Sequence, residues 1–217
     1  MQVHDQDFLV LKAVLGGPQR IIDAGANKGQ SIETLAVLFP LSVIDSFEPN
    51  PIFYPQLEKI ASTLSGVKIH HCGLGSAAGT FKFYIPIVDG IRYLEETSVF
   101  LAEFQKPWVA DRLAARGRDI QFEEFLARVQ VGDDLELSPT LIKVDVEGAE
   151  SSVLRGLERT IRRHKPVIIA ENSDWHDVTN FLGEIGYSGF MPDSENEKLI
   201  PFSGERVNTI YVWDGQA

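Results

Sequence analysis

Short apolar runs alternate along this chain with stretches whose apolar positions recur every three or four residues, the pattern of parallel strands joined by crossover helices. Residues 5–15 read as a leading helix with Phe8, Leu11 and Leu15 on one face, stopped by Gly16, Gly17 and Pro18. Ile21-Ile22-Asp23-Ala24-Gly25 then reads as a buried strand running into a glycine turn. From Ser31 a helix places Ile32, Leu35, Ala36 and Phe39 at offsets 0, 3, 4 and 7, a single apolar stripe. A second strand over 42–47 ends at Glu48-Pro49-Asn50-Pro51, and its helix carries Phe53, Leu57, Ile60, Ala61 and Leu64 on one face. A third strand over 67–72 ends at Gly73-Leu74-Gly75. Strand–helix units in succession predict an open α/β sheet.

Residues 76–137 break this rhythm. The stretch 80–85 alternates like a strand and is expected to pair with one near 128–131. Between them Phe100, Phe104, Trp108 and Leu113 sit in a segment too long for a plain connection, read as a partly helical insertion over 86–125 that covers the active-site edge. Regularity returns at 140–146, a strand ending in Asp145-Val146-Glu147-Gly148. One helix over 150–164 is expected to bury Val153, Leu154, Leu157 and Ile161, with Arg159, Arg162, Arg163 and His164 near its C-terminus, where positive charge is favoured. A fifth strand over 166–170 ends at Glu171-Asn172, and the next helix carries Val178, Phe181, Leu182 and Ile185 on one side. Segments near 189–191 and 208–213 close the chain as an antiparallel pair at the sheet edge. With no repeat, low-complexity tract or linker, residues 1–217 read as one domain.

A chain of 217 residues encloses a full core without staples, and its single cysteine, Cys72, excludes an intrachain disulfide framework and a cysteine-rich zinc site. Twenty basic against 31 acidic residues give a net charge of -11. Such a surface repels phosphate backbones, so nucleic acid is not expected as a partner. No apolar run approaches the roughly 20 residues that cross a bilayer, and the N-terminus lacks the basic region of a secretory signal, so a cytoplasmic protein is expected.

Ligands of open α/β sheets bind at the carboxyl ends of the strands, where strand order reverses. Asp23, Glu48, Asp145 with Glu147, and Glu171 with Asn172 all stand at such ends. In the first turn, Asp23-Ala24-Gly25-Ala26-Asn27-Lys28-Gly29-Gln30, the glycines let the main chain approach a ligand. A dinucleotide loop needs a second glycine where Asn27 stands, and a phosphate-cradling loop needs lysine where Gln30 stands, which argues against both. Glu48 follows Asp23 by 25 residues, a spacing at which a carboxylate accepts hydrogen bonds from ribose hydroxyls. A ligand with a ribose, little phosphate and a positive centre fits this set: S-adenosylmethionine, with Asp23 near its amino acid portion. A nicotinamide-dependent oxidoreductase, and a cofactor-binding module without catalysis, are the alternatives.

The runs Asp23-Ala24-Gly25-Ala26-Asn27 through Gln30, Phe47-Glu48-Pro49-Asn50-Pro51 and Leu141-Ile142-Lys143-Val144-Asp145-Val146-Glu147-Gly148-Ala149-Glu150 resemble the FkbM-type S-adenosylmethionine-dependent methyltransferases. The likeness extends over about residues 20–172 and the closing 208–213. It implies a Rossmann-like class I methyltransferase, α/β, with a mostly parallel sheet, an antiparallel C-terminal edge strand and an insertion before the fourth main strand. It also implies O-methylation of a sugar, glycan, lipid or natural-product hydroxyl. Asp23, Gly25, Asn27, Gly29, Gln30, Glu48, Pro49, Asn50, Gly75 and Asp145 are the expected cofactor contacts. Where such enzymes often carry an acid for the adenine amino group, this chain has Gly75-Ser76.

Methyl transfer from a sulfonium demands alignment, and a hydroxyl acceptor must lose its proton to a base or have it acidified by a metal. Asp145 and Glu147, two residues apart on an extended strand, are expected to point the same way and to supply the base. Glu150 reads more simply as a carboxylate at a helix start. His176, beside Trp175, is the histidine expected to serve as base or to touch the acceptor. Asp145, Glu171 and Asn172 form a hard oxygen set suited to Mg2+, similar to that of catechol-type O-methyltransferases. His70 and His71 are expected to pack or face solvent.

Overall fold

The computed structural model describes residues 2–171, 175–203 and 207–215. The chain begins with a 3-10 helix, Gln6–Ala13, in place of the α-helix expected there, its first turn capped by the Asp5 carboxylate on the Asp7 N–H at 2.9 Å. Three residues per turn bring Phe8 and Leu11 into line, and both are buried. The chain then runs β1 (Arg20–Ala24), α1 (Gln30–Leu38), β2 (Val43–Phe47), α2 (Tyr54–Thr63) and β3 (Val67–His70). Next come β4 (Gly73–Gly75), β5 (Gly79–Val88), β6 (Ile91–Arg92), α3 (Pro107–Arg116) and β7 (Ile120–Val131). It closes with β8 (Leu141–Val144), α4 (Glu150–Arg155), α5 (Glu158–His164), β9 (Val167–Glu171), α6 (Trp175–Glu184), β10 (Tyr187–Asp193), β11 (Lys198–Pro201) and β12 (Asn208–Trp213).

Eight strands form the main sheet in the order β11-β10-β12-β9-β8-β1-β2-β3. β3, β2, β1, β8 and β9 are parallel, and β12, β10 and β11 run antiparallel to their neighbours. The sequence pattern missed β11, so β10 lies inside the sheet and β11 forms its edge. The order reverses at β1, flanked by β2 and β8, so the crevice above β1 is where a ligand is expected. The central strands are mostly apolar because helices cover both faces, with Asp23, Ser46 and Lys143 as buried polar exceptions. Ile22, Ile142 and Ile168 pack with Val153, Leu157 and Phe181, whereas Ile21, Leu141 and Ile169 pack with Ile32, Leu35 and Leu57 on the other face. Full burial of each such side chain stabilises by about 1.5–3 kcal/mol.

The region that broke the rhythm builds a second sheet, β4-β7-β5-β6. β5 and β7 pair antiparallel from Gly79 opposite Val129 to Val88 opposite Ile120, so 80–85 faces 123–128 and not the expected 128–131, whose last three residues pair with β4. The outer arms of the 86–125 stretch are therefore strand, and α3 with two 3-10 turns (Leu94–Glu96 and Leu101–Gln105) fills the space between.

The single helix expected over 150–164 is two. A β-carbon at Gly156 would stand 2.1 Å from the Gly75 carbonyl oxygen, so α4 ends in close contact with β4. The Gly156 carbonyl accepts the Asp133 N–H at 2.8 Å, and the Asp133 carboxylate caps α5 through the N–H groups of Arg159 (3.0 Å) and Thr160 (2.8 Å). Among the described residues, no helix is long and apolar enough to cross a membrane.

Candidate active site

A cavity of about 310 Å³ opens at the carboxyl ends of β1, β2 and β8, a volume suited to a small molecule. Gly25, Asn27, Glu48 and Pro49 of the β1 and β2 loops line it with Asp145 and Glu147 of the β8 loop, Ser152 of α4 lines it beside Gly75 and Ser76, and Phe81, Phe83, Thr97 and Phe100 close it from the second sheet and the insertion.

The turn after β1 needs glycine. Gly25 has φ +84°, and a β-carbon on it would lie 1.8 Å from the Asp145 carbonyl oxygen, so the β1 and β8 loops touch through main chain. The N–H groups of Gly25 and Ala26 both donate to the Phe47 carbonyl, at 3.0 and 3.1 Å. Glu48 is 6% exposed and accepts the Asn27 N–H on Oε2 at 2.8 Å and the Asn50 N–H on Oε1 at 2.7 Å. Burial pushes its carboxyl up to about 7, against the pull of those two N–H donors. Each oxygen keeps a second lone pair for a ligand hydroxyl.

Beneath this turn lies Lys143, 4% exposed in an otherwise apolar strand. Its Nζ donates to the Gly25 and Ala24 carbonyls at 2.5 and 3.2 Å and stands 3.3 Å from Asp23 and 3.7 Å from Asp145. Burial opposes the charge, but Asp23 and Asp145 outweigh it and raise the lysine's pKa. Asp23, at 0% exposure, also accepts the hydroxyls of Ser46 (2.5 Å) and Ser31 (3.0 Å). It sits under the floor, not among the cavity-lining residues.

β8 ends at Val144, so Asp145 and Glu147 do not share an extended strand as expected. Instead the chain turns left-handed at Glu147 (φ +52°) and Gly148 (φ +94°). Glu150 holds this turn, its Oε1 accepting the N–H groups of Val146 and Gly148, both at 3.1 Å, and the buried Ser98 hydroxyl donates to the Glu147 carbonyl at 2.7 Å. The turn brings carboxylate oxygens of Asp145, Glu147 and Glu171 within 4.8 Å of one another. Burial and the neighbouring Asp145 push Glu147 up to about 8, and burial raises Glu150 to about 7.

Residues 93–100 form a strap tied to three strand-end loops. Glu95 pairs with Lys28 after β1, Thr97 accepts from Asn50 Nδ2 at 3.3 Å after β2, and Ser98 reaches Glu147 after β8. Of the residues expected to contact a cofactor, Gly25, Asn27, Glu48, Pro49, Gly75 and Asp145 line the cavity. Gly29 instead faces the Ile60 side chain, and Gln30 opens α1, exposed. Asn50 is buried and orients Glu48 through its N–H. His176 stands exposed at the start of α6 with its ring stacked on Trp175, away from the cavity lining, and its position lends no support to a role as base or with the acceptor. Asn172 lies outside the described residues. His70 pairs with Asp45 at 2.8 Å, and His71 stacks on Tyr54. Lys143 carries the signal that was overlooked: a lysine inside an apolar strand needs buried carboxylate partners.

Comparison with known proteins gives the family and the fold. Residues 23–188 match the family described as the Methyltransferase FkbM domain. The chain is 33% identical over 161 residues to Methyltransferase sdnD of Sordaria araneosa, covering 64% of this chain and 60% of that protein. It is 32% identical over 145 residues to Methyltransferase 1 of Beauveria bassiana (strain ARSEF 2860), covering 64% and 58%. It spans about three fifths of the length of these curated relatives. The crystal structure of Methyltransferase FkbM from Methylobacillus flagellatus KT superposes with a TM-score of 0.62 at 20% identity, over 97% of this chain and 48% of that one, which establishes the fold. The chain, with its Rossmann-like α/β sheet, belongs to the FkbM methyltransferase family.

Proposed function

We propose that this chain is an S-adenosylmethionine-dependent O-methyltransferase acting on a hydroxyl of a small molecule or glycan. The observation that carries this reading is one cavity with Glu48, Asp145 and Glu147 in its wall. The residues fit the cofactor. The Glu48 oxygens retain acceptor capacity for a ribose diol, and the acid-rich side suits a sulfonium. Gly25 and Asn27 present main chain where pyrophosphate-binding folds carry a more open glycine turn, which disfavours a nicotinamide dinucleotide.

When bound, S-adenosylmethionine supplies a methyl group on sulfur; the O–C bond forms as the S–C bond breaks. This chain's part is alignment and proton removal. Glu147, half-buried and with its carboxyl pushed up to about 8 by desolvation and Asp145, suits a general base near neutral pH. Asp145 sits beside it and holds its proton affinity high. The approach of Asp145, Glu147 and Glu171 supports a second version, in which these carboxylates would hold Mg2+ and the ion would supply acidification of the acceptor hydroxyl.

Isothermal titration with S-adenosylmethionine, S-adenosylhomocysteine and NAD tests the pocket: binding of NAD alone discards the reading. Labelled methyl transfer to a panel of sugars and phenols tests the chemistry. Loss with chelator and recovery with Mg2+ supports the metal version, and indifference to chelator removes it. A pocket that binds the cofactor but transfers no methyl across a broad panel favours a binding module.

A further inference from the structure

The cavity has two unlike ends on either side of Glu48. At one, the Gly25 turn meets Asp145 and Glu147. At the other, β4 passes the β2 loop and α4: β-carbons at Gly73 and Gly75 would stand 3.7 Å from Pro49 and 3.5 Å from Ser152 Oγ. Leu74, Phe81, Phe83 and Val129 wall this second end. Its side-chain polar groups are hydroxyls: Ser76 and Ser152 Oγ lie 3.2 Å apart, and the Ser76 N–H donates to Ser152 Oγ at 3.2 Å. The described carboxylates of the lining are elsewhere: Glu48 on its two N–H groups, Glu95 with Lys28, and Asp145 and Glu147 on the β8 loop. Ser76 is exposed, so this end opens to solvent at its rim.

A nucleoside held by its diol at Glu48, with its sulfonium toward the acids, has its base in the apolar end. Resting on that reading of the cavity, the geometry points to a base gripped by apolar walls and read at its 6-position by the Ser76–Ser152 hydroxyl pair, so that the site accepts 6-oxo and N6-alkyl purines in place of adenine. A carboxylate there accepts from a 6-amino group and is left facing another acceptor when that group becomes a carbonyl. A hydroxyl donates or accepts by rotating, and with two hydroxyls one meets the 6-substituent while the other accepts from the N1–H of a 6-oxo purine or donates to the bare N1 of adenine. Sites built on one fixed hydrogen-bonding sense reject the mismatched analogue by roughly 10⁴-fold or more, because a buried group loses its partner. A rotatable pair at an open rim carries no such penalty, and an alkyl group on N6 extends past Ser76 into water.

Isothermal titration of the purified chain with S-adenosylhomocysteine, S-inosylhomocysteine and the N6-methyl analogue of S-adenosylhomocysteine tests this. The dissociation constants of both analogues are expected within about tenfold of that for S-adenosylhomocysteine, and a larger loss for either overturns the inference. Ser76→Asp installs a fixed acceptor and is expected to raise the ratio of the inosyl to the adenosyl constant at least about tenfold. An unchanged ratio places the base edge elsewhere and also overturns it. Absence of S-adenosylhomocysteine binding defeats the cofactor reading itself, whereas binding of that ligand with rejection of the analogues defeats this inference alone.

Discussion

Replacing Lys143 with methionine keeps the length of the side chain and removes its charge. Four oxygens then lose a partner at once: the carbonyls of Ala24 and Gly25 and the carboxylates of Asp23 and Asp145. Asp145 is exposed and is rehydrated, but Asp23 is fully buried and keeps only the Ser31 and Ser46 hydroxyls. Breaking a buried ion pair from one side costs about 3–5 kcal/mol. For a chain of this length that corresponds to a fall in melting temperature of about 6–20 °C. Removing both charges, in Asp23→Asn with Lys143→Met, leaves no unpaired buried charge and is expected to cost less than half of the single lysine change. The pH dependence has a definite sign. The folded pKa of Lys143 is raised above 10.5, so its stabilising contribution is constant below that value and is lost only as pH rises through the raised pKa. Beyond its own titration, Lys143 also holds down the raised pKa of buried Glu48, so in the variant that carboxyl moves further above about 7, and the difference between parent and variant in urea unfolding is expected to be larger at pH 9 than at pH 7. A single variant within about 1 kcal/mol of the parent, or a double variant costing the sum of its singles, refutes the buried pair as the anchor of the turn.

Three further outcomes are expected. Glu48→Gln removes charge-assisted acceptors and is expected to weaken S-adenosylhomocysteine binding by about 10- to 100-fold by titration calorimetry. Because a ribose diol donates to the ionised carboxylate, parent affinity is full above about 7 and falls by up to about tenfold per pH unit below it, while the glutamine variant is flat; a flat parent profile contradicts this. Glu147→Gln is expected to lower methyl transfer to an identified acceptor by about 10²- to 10⁴-fold with cofactor affinity kept. It should also abolish the limb on which the parent rate climbs toward about pH 8, and undiminished turnover moves the base elsewhere. Gly25→Ala forces a β-carbon to 1.8 Å from the Asp145 carbonyl oxygen at φ +84°, and a loss of more than about 3 kcal/mol in thermal unfolding is expected; an unaltered melting temperature rules out the close approach.

The parts of this fold that depend on local periodicity were readable in the chain itself. The Ile32–Leu35 stripe and the glycine turn after Ile21-Ile22-Asp23 follow from spacing, and the structure has them; the antiparallel pairing of 80–85 with the later strand is also there, but with 123–128, because 129–131 pair with β4. What escaped depends on contacts between distant segments. Nothing near Gly156 in sequence announces that β4 presses against it, or that Asp133 caps the helix beyond it. Glu147 meets Asp145 through a left-handed turn fastened by Glu150 and Ser98, so the two acids converge for a different reason than strand alternation. Asp23 stood out as a strand-end acid, yet its carboxylate serves Lys143 and two serines below the floor.

The triply fastened strap bears on any attempt to retarget this protein. A designer who transplants another insertion to change the acceptor also removes the partners of Lys28, Asn50 and the Glu147 carbonyl. Such a chimera alters the grip on both reactants at once, unless the donor segment brings a glutamate, a threonine and a serine to the same three docking points.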